Sequence, residues 1–305
     1  MTGVQTCALP IFVLEDELAR FVGLPAALLF PSGYQANTGL LAAVAGPGDR
    51  ILSDQLNHAS LIDGCRLSRA AVEVYPHLDL DCLESLLRRP LAGRTFVVTE
   101  SLFSMDGDLQ NLVEIRTLCD RYGASLVVDE AHALGVLGPQ GRGAAAAVGV
   151  VPDALVGTLG KAFGVAGAFV AGPVVLRDWL VSKCRTYAFT TAVAPPVAGA
   201  ARAALALVER ADDARARLVA LGKAVREVLG RRVSPSYGPI LPVPLGDPAA
   251  AMRVSAALLD RGWFVQGIRP PTVPVGTARL RLTLMATHAP EQVLAAARAI
   301  AELVP

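Results

Sequence analysis

The sequence alternates short, unbroken apolar runs with longer amphipathic stretches, and this alternation limits the folds that the chain can adopt. Such alternation is typical of βαβ units, in which helices cover both faces of a parallel sheet. We therefore predict an α/β fold with a large, mostly parallel sheet, followed by a smaller α+β domain. The strands predicted for the large domain lie at residues 27–30, 50–53, 71–75, 95–99, 125–129, 154–158 and 168–171.

The charged stretch at residues 209–213 is the predicted domain edge. It separates a large catalytic domain, residues 12–210, from a small C-terminal domain, residues 211–305. Helices are predicted at residues 14–22, from Gly33 to about residue 44, and after the two prolines at 195 and 196. The strands predicted for the small domain lie at residues 240–244, 263–266 and 279–284.

Composition excludes several classes of protein. The 305 residues include 28 basic and 27 acidic side chains, a net charge of +1, and 53% are hydrophobic. Disorder needs lower hydrophobicity and nucleic-acid binding needs a basic surplus, so neither is expected. No apolar stretch of about 20 residues lacks charge, proline or glycine clusters, so no membrane span is predicted. The five scattered cysteines form no C-x-x-C pair, which predicts a cytoplasmic protein without a zinc site.

Residues 1–11 differ in composition from the rest of the sequence. They lack the basic start and long apolar centre of a signal peptide. They match the translation of a common sequencing-adapter sequence, so we expect that this segment is of adapter origin and that native sequence begins near Phe12.

Two residues with reactive side chains lie at or just after the end of an apolar run. Asp129 ends the run 125–129, and Lys161 comes just after the run 154–158. The carboxyl ends of parallel strands share one edge of a sheet, where ligands bind. A carboxylate at such a place needs a cationic partner, and a protonated pyridine ring is one. Lys161 lies among small residues, where burial would lower the pKa of its amine and favour a Schiff base.

Each residue taken alone has a simpler explanation. Asp129 could cap a helix or bind a metal, Lys161 could be a solvated surface lysine, and His132 could be a core histidine. Gly33 and Tyr34 could form a simple turn, although helix N-termini bind phosphate. The sequence contains no P-loop and no G-x-G-x-x-G after a strand. The order and spacing of the motifs have to decide between these alternatives.

Five motifs occur in order along the chain: S-G-Y-x-A-N at 32–37, N-H-A-S at 57–60, F-S-M-D-G at 103–107, D-E-A-H at 129–132 and T-L-G-K at 158–161. In this order they resemble the α-oxoamine synthases, which are pyridoxal-phosphate (PLP) enzymes with the fold of aspartate aminotransferase. The resemblance covers residues 12–305. It implies the type I fold of PLP-dependent transferases, acyltransferase activity and a homodimer, with no metal.

The resemblance also implies roles for individual residues. Lys161 matches the lysine that forms the Schiff base with PLP, and Asp129 matches the carboxylate that pairs with the pyridine nitrogen. His58 matches the residue that stacks on the cofactor ring, and His132 matches the histidine near its phenolic oxygen. The remaining cofactor-binding positions implied are Gly33, Tyr34, Ser104, Thr158 at the phosphate, and Thr190 or Thr191 at the phosphate of the partner subunit.

Residues 268–288 resemble one branch of the family most closely. Members of that branch condense L-alanine with a pimeloyl thioester in biotin synthesis, with pimeloyl-CoA or a pimeloyl carrier protein as the acyl donor. The resemblance implies that Thr272 contacts substrate. A guanidinium suits the amino-acid carboxylate, and the resemblance favours Arg279 over Arg281 for that contact.

Other readings stay open within and outside the family. A glycine C-acetyltransferase or an enzyme like 5-aminolevulinate synthase is the alternative reaction. Members of the family also carry an upstream glycine-rich segment with a substrate-contacting arginine, which this sequence lacks. We therefore expect an N-terminally truncated chain, which could bind cofactor weakly, dimerise poorly or be inactive.

Overall fold

The structure is a computed structural model, and it describes residues 3–304. The chain divides into two compact units. The first unit contains the described residues up to 102 and residues 110–210, and the second contains residues 103–109 and the described residues from 211 onward. Of the segment 1–11, residues 3–11 belong to the first helix, whereas Met1 and Thr2 lie outside the described residues.

A seven-stranded sheet forms the centre of the first unit. Its strands are β1 (Ala26–Phe30), β2 (Arg50–Asp54), β3 (Ala71–Tyr75), β4 (Thr95–Glu100), β5 (Ser125–Asp129), β6 (Ala154–Thr158) and β7 (Ala168–Gly172). The strand order is β1-β7-β6-β5-β4-β2-β3. Only β7 runs antiparallel to its neighbours, so the carboxyl ends of the other strands share one edge.

Helices surround this sheet and connect its strands. They are α1 (Gly3–Val22), α2 (Gly33–Val44), α3 (Ala59–Ser68), α4 (Leu80–Leu87), α5 (Leu112–Tyr122), α6 (Ala144–Ala147), α7 (Val174–Lys183), α8 (Arg185–Ala188) and α9 (Pro195–Glu209), with a 3-10 turn at Pro139–Gly141. Among the described residues, no helix combines the length and the apolar character that a membrane crossing requires.

The burial of β7 explains the unbroken apolar runs of the sequence. Phe169 and Ala171 pack in one cluster with residues of α1 and α9. Ala168 and Val170, which alternate with them, pack in a second cluster with residues of α2. Successive side chains of a strand point to opposite faces, so a strand that is covered on both faces needs apolar residues at every position.

The second unit contains three helices and a small sheet. The helices are α10 (Asp212–Leu229), α11 (Pro248–Asp260) and α12 (Pro290–Leu303), with a 3-10 turn at Gly230–Arg232. The antiparallel sheet has the order β8-β10-β9, formed by β8 (Ile240–Gly246), β9 (Gln266–Ile268) and β10 (Ala278–Thr283).

One predicted strand of this unit is misplaced. We expected a strand at residues 263–266, but β9 begins at Gln266. The Trp263 N–H instead donates to the Leu258 carbonyl at 2.8 Å, and Gly262 adopts a positive φ of 84°. These features are typical of the turn that ends a helix, so the apolar residues at 263–265 follow the turn after α11 and precede β9.

A buried carboxyl group accepts a hydrogen bond from a backbone N–H on the outer edge of β1. Glu15 of α1 is 7% exposed, and its Oε1 accepts a hydrogen bond from the Leu29 N–H at 2.7 Å. Because β1 is the last strand of the sheet, this N–H would otherwise lack a partner. Burial raises the pKa of Glu15 to about 7, although the Leu29 bond and Arg177 oppose the shift.

Glu15→Gln should remove a pH-dependent loss of stability. The folded pKa of about 7 lies above the ordinary value of 4.5, so the free energy of unfolding falls as pH rises between these values. Glutamine keeps an oxygen for the Leu29 N–H and does not titrate. We expect similar stability near pH 5 and a variant that is more stable near pH 8.5 by roughly 2–4 kcal/mol, measured by urea unfolding.

The matched control is Glu17→Gln on the same helix. Glu17 pairs with Arg202 at 2.7 Å in a partly exposed position. Its removal should change stability by less than about 1 kcal/mol. A Glu15→Gln variant whose advantage does not grow between the two pH values would contradict the prediction.

Candidate active site

The predicted site residues of the first unit gather where the parallel strands end. Asp129 is the last residue of β5, and Thr158 is the last residue of β6. Lys161 follows in the turn after β6, and His58 lies between β2 and α3. The carboxyl ends of these strands share one edge, which is where open α/β sheets bind ligands.

Asp129 is buried and is held by two neutral donors. Its Oδ1 accepts from the Ala131 N–H at 2.8 Å, and its Oδ2 accepts from Nδ2 of Asn37 at 2.6 Å. A carboxylate can accept about four hydrogen bonds, so capacity is left for a cationic N–H. The Ala131 bond belongs to a turn and does not cap a helix, because residues 131–136 form turns. In the described part of the chain, no cluster of three or more histidine, cysteine or acidic side chains could hold a metal.

His58 caps the N-terminus of α3. Its Nδ1 accepts from the Ser60 N–H at 3.2 Å and lies 2.7 Å from the Ser60 hydroxyl. The residue is exposed, but the protein atoms around the ring desolvate it and lower its pKa. Asp129 raises this pKa and Lys161 lowers it. His58, Asp129 and Lys161 are therefore close enough to interact electrostatically.

Lys161 is exposed, which differs from the burial that we expected among small neighbours. The Gly164 N–H donates to the Lys161 carbonyl at 3.1 Å, and Gly164 has a φ of 67°. The tight turn that small residues allow therefore presents the lysine at the sheet edge. His132 is half-buried in the turn after β5 and is not a core histidine.

The start of α2 and the end of β6 form a site suited to an anion. Ser32 caps α2 by accepting from the Gln35 N–H at 3.3 Å, and the helix begins at Gly33. A Cβ at Gly33 would lie 3.9 Å from Thr158, so the first turn of α2 lies against this hydroxyl. The Gly160 N–H donates to the Thr158 hydroxyl at 3.3 Å. A helix N-terminus beside a hydroxyl and a glycine turn is typical of phosphate sites.

Two further predicted residues flank this turn. The hydroxyl of Tyr34 donates to Asp63 at 2.5 Å. Nε2 of Gln35 donates to the hydroxyl of Thr190 at 3.2 Å, so Thr190 lies beside the first turn of α2 in its own chain. A contact of Thr190 with a partner subunit's phosphate stays a prediction.

Two buried glutamates of this region were missed in the sequence. Glu100 ends β4 beside Asp129, and burial together with the charge of Asp129 raises its pKa to about 8, although Lys161 opposes the shift. Glu130 is fully buried and accepts from the Ser101 hydroxyl and the Ala144 and Ala145 N–H groups at 2.7–2.9 Å. The signal for Glu100 was present, because it ends an apolar strand as Asp129 does.

The predicted substrate residues and Ser104 lie in the second unit. Arg279 is buried and pairs with Asp106, and it also donates to the carbonyls of Met105 and Thr277 at 3.2 and 3.0 Å. Arg281 donates from Nε to the Ser104 carbonyl at 2.6 Å. The structure thus gives Arg279 an intramolecular role, which competes with the predicted contact to substrate.

The second unit also defines the loop that carries Thr272. Thr272 follows β9, and its N–H donates to the Arg269 carbonyl at 3.1 Å.

Burial lowers the pKa of Arg281. Its guanidinium binds only uncharged partners here, since its second contact is the Thr283 hydroxyl at 3.3 Å.

Arg279→Ala should destabilise the second unit. The substitution leaves Asp106 without its cation and removes two bonds to carbonyls, which we expect to cost about 2–4 kcal/mol. Urea unfolding of Arg279→Ala, Asp106→Asn and the double variant measures the coupling between the two side chains. Full stability of Arg279→Ala, combined with a large rise in the KM for an amino-acid substrate, would contradict the intramolecular role.

The residues at the sheet edge fit PLP on chemical grounds. The start of α2 with Thr158 suits a phosphate, Asp129 has neutral donors and room for a protonated ring nitrogen, and Lys161 provides an amine. This combination, on a sheet with a single antiparallel strand, is typical of PLP-dependent transferases of the type I fold.

Comparisons with known proteins agree with this class. The family described as Aminotransferase class I and II matches residues 11–300. The chain belongs to this family. It is 50% identical over 301 residues to an 8-amino-7-oxononanoate synthase of Anaeromyxobacter dehalogenans, covering 97% of this chain and 76% of the relative. It is 49% identical over 295 residues to the enzyme of the same name from Marinobacter nauticus, covering 95% and 75%.

Solved structures match over a similar share of the chain at lower identity. A serine palmitoyltransferase of S. paucimobilis, with a bound PLP–myriocin aldimine, matches with a TM-score of 0.91 and 32% identity, over 95% of this chain and 75% of that one. An 8-amino-7-oxononanoate synthase of Francisella tularensis matches with a TM-score of 0.85 and 31% identity, over 96% and 86%. The family and the fold class that the motifs predict are thereby confirmed.

Proposed function

We propose that the protein is a PLP-dependent acyltransferase that condenses L-alanine with a pimeloyl thioester, releasing carbon dioxide and the free thiol of the acyl carrier and forming 8-amino-7-oxononanoate for biotin synthesis. The observation that carries this proposal is the 50% identity to enzymes of that name over nearly the whole chain. The solved serine palmitoyltransferases and the solved 8-amino-7-oxononanoate synthase are similar to this chain at 31–32% identity, so the acyl specificity is proposed from the 50% identical relatives alone.

The geometry supports particular roles for residues around PLP. The first turn of α2 at Gly33 and Tyr34, together with Thr158, would bind the phosphate. Asp129 would pair with the ring nitrogen, His58 would stack on the ring, and His132 would lie near the phenolic oxygen. Ser104 is proposed as a further contact.

The chain's own groups account for the proton transfers. Bound PLP supplies an electron sink for the carbanion that forms at the amino-acid Cα. Asp129 keeps a negative charge buried, which favours a protonated ring nitrogen. The amine of Lys161 would remove the Cα proton of the bound amino acid, because the turn after β6 places this amine at the same sheet edge as Asp129.

Substrate recognition is assigned to the second unit. Thr272 is proposed to contact the substrate. For the carboxylate of L-alanine we now favour Arg281 over Arg279, because Arg279 is buried against Asp106 whereas Arg281 binds only uncharged groups. Arginine binds carboxylates through two parallel N–H bonds, which the guanidinium of Arg281 would supply.

Partners and compartment complete the proposal. The acyl donor is pimeloyl-CoA or a pimeloyl carrier protein. A homodimer is proposed, with Thr190 reaching the partner subunit's phosphate. A cytoplasmic location is supported by the cysteines at 65, 82, 119 and 184, which are all unpaired.

PLP uptake tests the assignment of Lys161. Wild-type protein mixed with PLP should gain a visible absorption band, and borohydride reduction should fix PLP on Lys161, detected by peptide mass spectrometry. Lys161→Ala should abolish both signals. Lys223→Ala, an exposed lysine of α10, is the matched control and should keep them. PLP attached mainly at Lys183 or Lys223 would contradict the assignment.

A carbon-dioxide or free-thiol release assay tests the substrates. We expect L-alanine with pimeloyl thioester to give at least about tenfold higher kcat/KM than glycine or serine with acetyl or succinyl thioesters, about 1.4 kcal/mol of discrimination. A preference for glycine with succinyl thioester would overturn the proposed reaction. Arg281→Lys should raise the KM for L-alanine more than the KM for the thioester.

A further inference from the structure

A chain of hydrogen bonds connects Asp129 with His58 through two buried polar residues. Nδ2 of Asn37 donates to Oδ2 of Asp129 at 2.6 Å and to Oγ of Ser60 at 2.9 Å. Oγ of Ser60 lies 2.7 Å from Nδ1 of His58. Asn37 and Ser60 are 2% and 1% exposed, so the protein itself sets these bonds.

Asp129 decides how the Asn37 amide is oriented. An ionised carboxylate only accepts hydrogen bonds, so the amide atom that touches it has to be the NH₂ group. The reverse orientation would place two oxygens 2.6 Å apart. With the NH₂ group toward Asp129, both amide hydrogens donate hydrogen bonds, to Asp129 and to Ser60. Oδ1 of Asn37 is then buried without a hydrogen-bond partner in the described structure. Asn37 is therefore held as a double donor at the expense of its own oxygen.

The Ser60 backbone N–H, which can only donate, determines the direction of the bonds to His58, and the orientation of Asn37 is compatible with it. Because the Ser60 oxygen accepts from Asn37, its single hydrogen is available for Nδ1 of His58. The Ser60 backbone N–H also donates to Nδ1, at 3.2 Å. Both bonds need a lone pair on Nδ1, so the imidazole proton must be on Nε2.

Close packing of two helices makes this chain of bonds possible. A Cβ at Gly64 of α3 would lie 2.9 Å from the Asn37 carbonyl of α2 and 3.0 Å from Leu41. Glycine therefore lets α3 approach α2 closely enough for Asn37 to reach Ser60 one turn earlier. Gly64 lies outside the five family motifs. The close approach of α3 to α2 explains why this position is a glycine.

The charges around His58 are compatible with a neutral ring. Desolvation of the ring by the surrounding protein atoms is the largest cause and lowers its pKa, Asp129 at the end of β5 raises this pKa, and Lys161 after β6 lowers it. From β4, the side chain of Glu100 interacts with the backbone N–H of His58. Burial raises the pKa of Glu100, which reduces its charge near the ring.

We propose that Asn37 and Ser60 are positioning residues that hold His58 as the neutral tautomer with its proton on Nε2, and so fix the orientation of the ring. The further role of the His58 ring, to stack on PLP, rests on the proposed function. The tautomer follows from the hydrogen bonds alone.

Nitrogen-15 NMR of the histidine side chains tests the tautomer in the full chain without added PLP. The sequence has four histidines, and His58→Gln assigns the signals of His58. In wild-type protein at neutral pH, Nδ1 should show the shift of an unprotonated acceptor and Nε2 that of a protonated nitrogen. A proton on Nδ1, or one shared equally between the two nitrogens, would overturn the proposal.

Ser60→Ala tests the positioning role. It removes the hydroxyl that donates to Nδ1, so the population with the proton on Nδ1 should rise severalfold and the pKa of His58 should move up toward its ordinary value of 6.5. Ser60→Thr should restore the wild-type spectrum. Ser68→Ala is the matched control, because Ser68 is a buried serine of the same helix whose hydroxyl donates to the Cys65 carbonyl.

The outcomes separate this inference from the proposed function. Equal His58 spectra in Ser60→Ala and Ser68→Ala would overturn the role of Ser60. If Ser60→Ala does not fold, the wild-type spectrum still decides the tautomer. Because these spectra are recorded without PLP, failure to condense L-alanine contradicts only the proposed function, and a proton on Nδ1 contradicts only the inference.

Discussion

The negative charge of Asp129, buried at the end of an apolar strand, is the constraint on which the site depends. A buried carboxylate is stable only where donors surround it, and the structure provides the Ala131 N–H and the Asn37 amide. Asn37 in turn requires α2 to pack against α3, and Ser60 then orients His58. One buried charge thus fixes the relative positions of two helices and a strand end before any ligand is considered.

Much of the first unit could be predicted because its sheet is covered on both faces. Burial on both faces demands apolar residues throughout a strand, and the buried strands β5 and β6 begin and end where the sequence predicts. The motifs also predicted the family, the fold class and PLP dependence, and the comparisons confirm these. The strand predicted at 263–266 was wrong because a helix-ending turn competes for the same apolar residues.

The parts that could not be predicted depend on contacts between distant segments. Asn37 and Ser60 lie within recognised motifs, but their bond exists only because Gly64 brings two helices together. Arg279 and Arg281 are alternate residues of one strand, and the family resemblance favoured Arg279 for the substrate carboxylate. Pairing of Arg279 with Asp106 distinguishes them, and that pairing depends on how residues 103–109 fold back within the second unit.

The reversed direction of β7 has a consequence for synthesis of the chain. Because β7 lies between β1 and β6, the start of α2 and Thr158 become neighbours although more than a hundred residues separate them. A ribosome must therefore complete the chain through β7 before the phosphate-binding corner can close. During translation, the early βα units have to persist without ligand, so their apolar faces are exposed to chaperones and to aggregation for that interval.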